Sequence, residues 1–165
     1  IGCLGHLAVQ FAAKMGCEVV AISRGPEKEA LARELGAHHY VDARERDAGA
    51  ALAELGGANV VIATTTSGSA VASAVAGLAP RGQVVVLGVA DAPIEVGAMS
   101  LIGPATSIAG HPSGTSQDSE DAMRFCVLTG ARSMVETYPL ERAAEAYDRM
   151  LSNDARFRVV LTTGL

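Results

Sequence analysis

The feature that most restricts how this chain can fold is a regular exchange between short β-branched runs and longer stretches with helical spacing. Runs read as strands fall at residues 18–22, 39–41, 59–63 and 83–87, the last being Gln83-Val84-Val85-Val86-Leu87. Helical spacing occupies residues 4–15, 27–35, 45–55 and 69–78. In the first of these, Leu7, Ala8, Phe11 and Ala12 share a face, and Gly16 follows as a stop signal. Strands that alternate with helices in this way predict an α/β fold, a doubly wound parallel sheet with helices on both faces. An apolar run such as 83–87 is expected to be covered on both sides.

Further along, the pattern loosens. Pro26 suits a first helical turn, where no N–H is needed. Pro80-Arg81-Gly82 reads as a turn ahead of the strand at 83–87. Residues 88–104 are rich in turn formers, 106–109 give a weak strand, 118–128 and 140–151 read as helices, and 158–162 as a closing strand. With 165 residues, 49% of them hydrophobic, one domain spanning 1–165 is expected. The net charge of -5 and the scattered Lys and Arg offer no basic stripe, which argues against nucleic acid or an anionic membrane as partner. No apolar run approaches the roughly twenty residues of a membrane span. Cys3, Cys17 and Cys126 lack metal spacing and are expected to be reduced thiols of a cytoplasmic protein.

Chemistry concentrates at two places. Ile1-Gly2-Cys3-Leu4-Gly5 runs directly into a helix, so Gly2 and Gly5 have the spacing of the last two glycines of G-x-G-x-x-G. Glycine lets a backbone approach a pyrophosphate closely, and the free N–H groups and positive dipole end of the helix favour an anion there. An ordinary glycine-rich turn is the plain alternative. Roughly twenty residues later, where such folds place an acid against the ribose 2′-hydroxyl, the chain reads Ser23-Arg24. Without a carboxylate, a 2′-phosphate would meet a hydroxyl and a guanidinium, with Lys28 nearby. This points to NADP rather than NAD, although exposed Arg and Lys are commonly just solvated.

These residues add up to a resemblance. The segment from Ile1 to Ala12, IGCLGHLAVQFA, resembles the nucleotide-binding segment of medium-chain, zinc-dependent alcohol dehydrogenases, close to their NADP-using, cinnamyl-alcohol branch. A second block supports it: Asp118-Ser119-Glu120, Pro139-Leu140-Glu141, Ala146-Tyr147 and the run from Arg156 to Thr162 resemble the family's closing helices and strand. The resemblance implies a Rossmann fold in which Gly2, Cys3, Leu4 and Gly5 cradle the pyrophosphate. It implies that Ser23, Arg24 and Lys28 surround the 2′-phosphate, and that Arg158 reaches a phosphate. It also puts Thr64 at the nicotinamide ribose, Gly88 and Val89 at the nicotinamide, and Ser107, Ile108 and Ala109 at the carboxamide. For Thr64 and Ser107, simple turn capping is the alternative.

Some expectations follow from what the sequence lacks. Cys3 stands where the family usually has glycine, and the motif's first glycine and its preceding strand are not in the sequence. The expected fold therefore lacks its first central strand, as a fragment of a longer two-domain dehydrogenase would, leaving a gap or a place for another chain's strand. The family's zinc ligands belong to another domain, so neither a metal site nor a catalytic residue is expected here; His6, His38, His39 and His111 have no metal spacing. The function implied is the NADP(H)-binding part of an alcohol dehydrogenase or aldehyde reductase, inactive alone. A binding module without turnover and the cofactor domain of a zinc-free quinone reductase remain open. Relatives suggest a homodimer through an edge strand within residues 94–109.

Overall fold

The computed structural model describes residues 1–89, 92–152 and 154–164. Along the chain run α1 (Gly5–Lys14), β1 (Val20–Ser23), α2 (Glu29–Glu34), β2 (His39–Asp42), α3 (Ala48–Glu54), β3 (Ala58–Ala63), α4 (Gly68–Ala76) and β4 (Leu78–Val86). They are followed by α5 (Ala98–Ile102), β5 (Ser107–Gly110), α6 (Ser116–Thr129), β6 (Val135–Pro139), α7 (Ala143–Leu151) and β7 (Arg158–Thr162). Short 3-10 turns at Pro26–Lys28 and Leu140–Arg142 lead into α2 and α7. Two residues of the loose 88–104 stretch, Ala90 and Asp91, lie outside the described residues.

Every strand pair is parallel, which is the outcome that strand–helix alternation predicts. Among the described residues the strands form three sheets, β1-β2, β3-β4-β5 and β6-β7. Among the described residues β1 and β3 are not hydrogen-bonded neighbours, and each keeps one unpaired edge where a doubly wound order puts its first central strand. Apolar residues drive the layering. Val9, Val19, Ala21, Ala32 and Ala37 bury one core between α1, β1 and α2. Ala63, Val71, Val75 and Val84 bury a second between α4 and the three-stranded sheet, with Val61, Val86, Ile94, Val96 and Ile108 packed against it.

Two sequence expectations are corrected. The β3-β4-β5 sheet is covered on one face only: Val84 is fully buried, but Val60 and Ile62 on β3 are 59% and 45% exposed. Pro80-Arg81-Gly82 is a bulge inside β4, not a turn before it. The register steps from Ala58 opposite Leu78 to Val60 opposite Gln83, and Arg81 takes φ 64 to accommodate the extra residues. Leu78 consequently opens the strand instead of ending the helix. The weak strand read at 106–109 is β5, Ser107–Gly110, and α5 precedes it.

Candidate nucleotide-binding site

The carboxyl ends of parallel strands are where an α/β sheet offers a crevice. Residues 1–5 cross that rim. The Ile1 nitrogen donates to Ser23 Oγ at the end of β1. At the other side, a Cβ on Gly5 would sit 3.6 Å from Thr64 Oγ1, just past β3. Gly2 and Cys3 are exposed, and a Cβ on Gly2 would meet nothing within 4 Å. No side chain caps α1 at Leu4, whereas Asp47, Ser67 and Thr115 cap α3, α4 and α6. The N–H groups of His6 and Leu7 are taken by the Gly2 and Leu4 carbonyls, so it is the backbone N–H groups of residues 2–5 that are left for an anion at the rim. Positive charge gathers there too. The side chains of Lys28, Arg156 and Arg24 all lie near enough to Ile1 to act on it electrostatically.

Next to this rim lies the Ser23-Arg24-Gly25 loop. Gly25 has φ 89, a conformation open mainly to glycine. Its N–H donates to Asp42 Oδ1 at 2.8 Å, and its carbonyl accepts from the Tyr40 hydroxyl at 2.5 Å. Backbone N–H donors, that of Arg44 foremost and then that of Gly25, keep the Asp42 carboxyl below its ordinary pKa, so it is ionised. The Glu27 carboxylate also folds over Gly25, for a Cβ there would come within 2.1 Å of Glu27 Oε2. The reading of this loop as free of carboxylates therefore needs correction. Neither acid occupies the expected position in sequence, but the Ser23–Asp42 register of β1 and β2 brings Asp42 alongside. Arg24 remains exposed and Lys28 half-buried.

Thr64 and Gly88 come together at the ends of β3 and β4. Gly88 packs so tightly that a Cβ would fall 2.2 Å from the Thr65 carbonyl oxygen, and its N–H donates to Ala63 at 3.1 Å. Val89 beyond it is 85% exposed. Close by, a cleft of about 460 Å³ is lined by Thr66, Ser67, Gly68, Ser69, Ala72, Ala92, Pro93 and Glu95. The sequence reading did not select these residues, although the hydroxyl-rich run from Thr64 to Ser69 was a visible signal. Ser107 is elsewhere: it pairs with Gln83 at the amino end of β5, and its Oγ accepts from Gln83 Nε2 at 3.0 Å. Ile108 packs against the sheet core and Ala109 is half-buried, so Gly110 and His111 are the residues that reach the carboxyl rim, His111 N donating to Val86 at 3.1 Å. Arg158 opens β7 and follows Phe157, whose ring stacks on His6 of α1. It is thereby held near the start of α1.

Among the described residues no group of three or more His, Cys, Asp or Glu could hold a metal ion, and no helix is long and apolar enough to cross a membrane. Cys3 and Cys17 are exposed free thiols and Cys126 is a half-buried one.

A family model described as zinc-binding dehydrogenase matches residues 3–127. The alcohol dehydrogenase notN of Aspergillus sp. (strain MF297-2) is 46% identical over 162 residues, covering 98% of this chain and 48% of its own length. A cinnamyl alcohol dehydrogenase structure from Sorghum bicolor superposes with a TM-score of 0.82 at 32% identity, covering 97% of this chain and 45% of that one. The alcohol dehydrogenase of the archaeon Aeropyrum pernix gives 0.86 at 27% identity, with coverages of 97% and 47%. The chain spans about half the length of the curated relatives it matches. On the family match and these likenesses, the chain belongs to the zinc-binding dehydrogenase family of medium-chain alcohol dehydrogenases.

Proposed function

We propose that this chain is the NADP(H)-binding domain of a zinc-dependent alcohol dehydrogenase or aldehyde reductase. The observation that carries the reading is the uncapped amino end of α1, set on the carboxyl rim between Ser23 and Thr64 and surrounded by Lys28, Arg156 and Arg24. In this reading the N–H groups of residues 2–5 hold the pyrophosphate, Ser23 and Arg24 bind the 2′-phosphate, and Lys28 adds charge. Thr64, Gly88 and Val89 set the nicotinamide end, with Gly88 kept bare so that β3 and β4 close together. The bound nicotinamide supplies hydride transfer. The chain's own work is to bind and orient: no metal-binding cluster exists among the described residues, so no step is assigned to zinc here.

A second reading, NAD instead of NADP, draws on Asp42 and Glu27 beside Gly25, since a carboxylate there repels a 2′-phosphate and accepts from a ribose hydroxyl. Calorimetric titration of the chain with NADPH and NADH at fixed salt separates the two, alongside Arg24→Ala. Loss of one charge-assisted contact costs about 2 kcal/mol. NADPH should therefore bind more tightly than NADH, and Arg24→Ala should weaken it more than tenfold while leaving NADH unchanged. Tighter NADH binding would transfer the assignment to NAD; binding of neither, by the whole dehydrogenase as well as by this chain, would sink the nucleotide reading.

A further inference from the structure

His6 lies one residue past Gly5, is fully buried, and is hydrogen-bonded at both ring nitrogens. The Met134 N–H points at Nε2 from 3.1 Å. A backbone N–H can only donate, so Nε2 carries a lone pair; the neutral ring then has its proton on Nδ1, which donates to the Gly2 carbonyl at 3.2 Å. Burial, the largest influence, also keeps this histidine below its ordinary pKa, and the Arg158 charge acts in the same direction. One ring face stacks on Phe157, with centroids 4.6 Å apart.

From Met134 the contacts continue to the phosphate side. Its carbonyl accepts from the N–H groups of both Phe157 and Arg158 at 3.1 Å. One turn along α1, the buried Gln10 donates to the Arg132 carbonyl at 2.9 Å and accepts from the Arg132 N–H at 3.0 Å. The segment that carries Met134 is thus fastened to α1 at two points. A single path of hydrogen bonds and one ring stack joins the Gly2 carbonyl, His6, Met134 and Arg158.

We propose that His6 is a positioning residue of the nucleotide site, whose neutral, Nδ1-protonated ring fixes the Gly2–Gly5 turn and Arg158 relative to one another so that both converge on the pyrophosphate. The role rests on the nucleotide-site reading above. Being buried, the ring does not touch the ligand; it acts through the turn and through Arg158. An alanine would leave the Gly2 carbonyl and Met134 N–H without this partner. An asparagine would keep a donor near the Nδ1 position.

Two measurements, on this chain and on the whole dehydrogenase, test this. Nitrogen-15 NMR of ring-labelled histidine should find His6 protonated at Nδ1 and bare at Nε2 at neutral pH. In titrations, His6→Ala should weaken NADPH tenfold or more, His6→Asn, which restores only the bond to Gly2, should recover part of that loss, and adenosine 2′-monophosphate, which has no pyrophosphate, should bind all three proteins alike. A ring protonated at Nε2 would overturn the proposal, even if the variants fail to fold. So would equal weakening of NADPH and adenosine 2′-monophosphate, the mark of a merely structural role, or unchanged NADPH binding by His6→Ala. A wild-type protein that binds neither NADPH nor NADH, as the whole dehydrogenase as well as this chain, removes the nucleotide site itself and this role with it, a failure seen before any variant is compared.

Discussion

Gly25 is held at both of its backbone polar groups by residues of the neighbouring strand, Tyr40 on the carbonyl and Asp42 on the N–H. Burial raises the Tyr40 pKa above the usual phenol value, so at neutral pH the hydroxyl keeps its proton and donates. Its loss should let the Ser23-Arg24 loop drift. One neutral hydrogen bond contributes about 1 kcal/mol. Tyr40→Phe should therefore reduce the NADPH-over-NADH affinity ratio about fivefold in the same titrations, and an unchanged ratio would detach this bond from cofactor preference. Glu136 carries a different prediction. Arg149 binds both carboxylate oxygens and the Arg156 N–H adds a bond at 2.8 Å, which lowers its pKa from 4.5 to about 2. Between those values the unfolded chain binds the extra proton, so the stabilisation is complete above pH 4.5 and is lost as pH falls towards 2. Thermal melts of the wild type should rise more steeply between pH 2 and 5 than those of Glu136→Gln; parallel curves would refute the linkage. Spacing alone picked out Ser23 and Arg24, because their distance from the glycines is a local property of one βα unit. Asp42 escaped that logic, since its nearness depends on how β1 and β2 register.

At the scale of elements, helices and strands with an apolar period were legible and those without one were not. β4 was plain from its valines, and β7 from Val159-Val160-Leu161. β6 was missed because its partly buried positions are Glu136 and Tyr138, one ion-paired and one aromatic with a polar tip, and it ends in a proline. α5 was missed because it has only 5 residues, set between Gly97 and Gly103, too few to show a period. The bulge in β4 hid for a related reason: Pro80-Arg81-Gly82 has turn chemistry, and only the pairing with β3 shows that the strand continues through it. Close packing of α3 on α4 is likewise written in single glycines. A Cβ on Gly49 would stand 2.3 Å from the Ser73 carbonyl oxygen and 3.2 Å from the Ala76 methyl. Gly49→Ala must push backbone apart, and overpacking of this kind costs about 1–3 kcal/mol. Urea unfolding should show the midpoint falling accordingly with the slope unchanged; a midpoint that stays put would mean that the two helices separate freely.

Across the whole molecule, the alternation of strands and helices was enough to give parallel α/β architecture, but not which edges stay open. β5 is such an edge: among the described residues it pairs only with β4. Edge strands with free N–H and C=O groups invite pairing with another chain, and a two-fold axis would join two copies through one continuous sheet. The direction of each N–H on β5 can be worked out. His111 N donates to Val86 of β4, so by alternation along a strand Gly110 turns its N–H to the open side. Gly110 also has room, since an added Cβ would meet nothing within 4 Å. Proline at this position therefore removes an outward donor while sparing the bonds to β4. The homodimer proposed from the family resemblance would use this edge, and Gly110→Pro should then convert a dimer into a monomer in light scattering, with an unchanged circular dichroism spectrum. A variant that remains dimeric would place the interface elsewhere, away from the β5 edge.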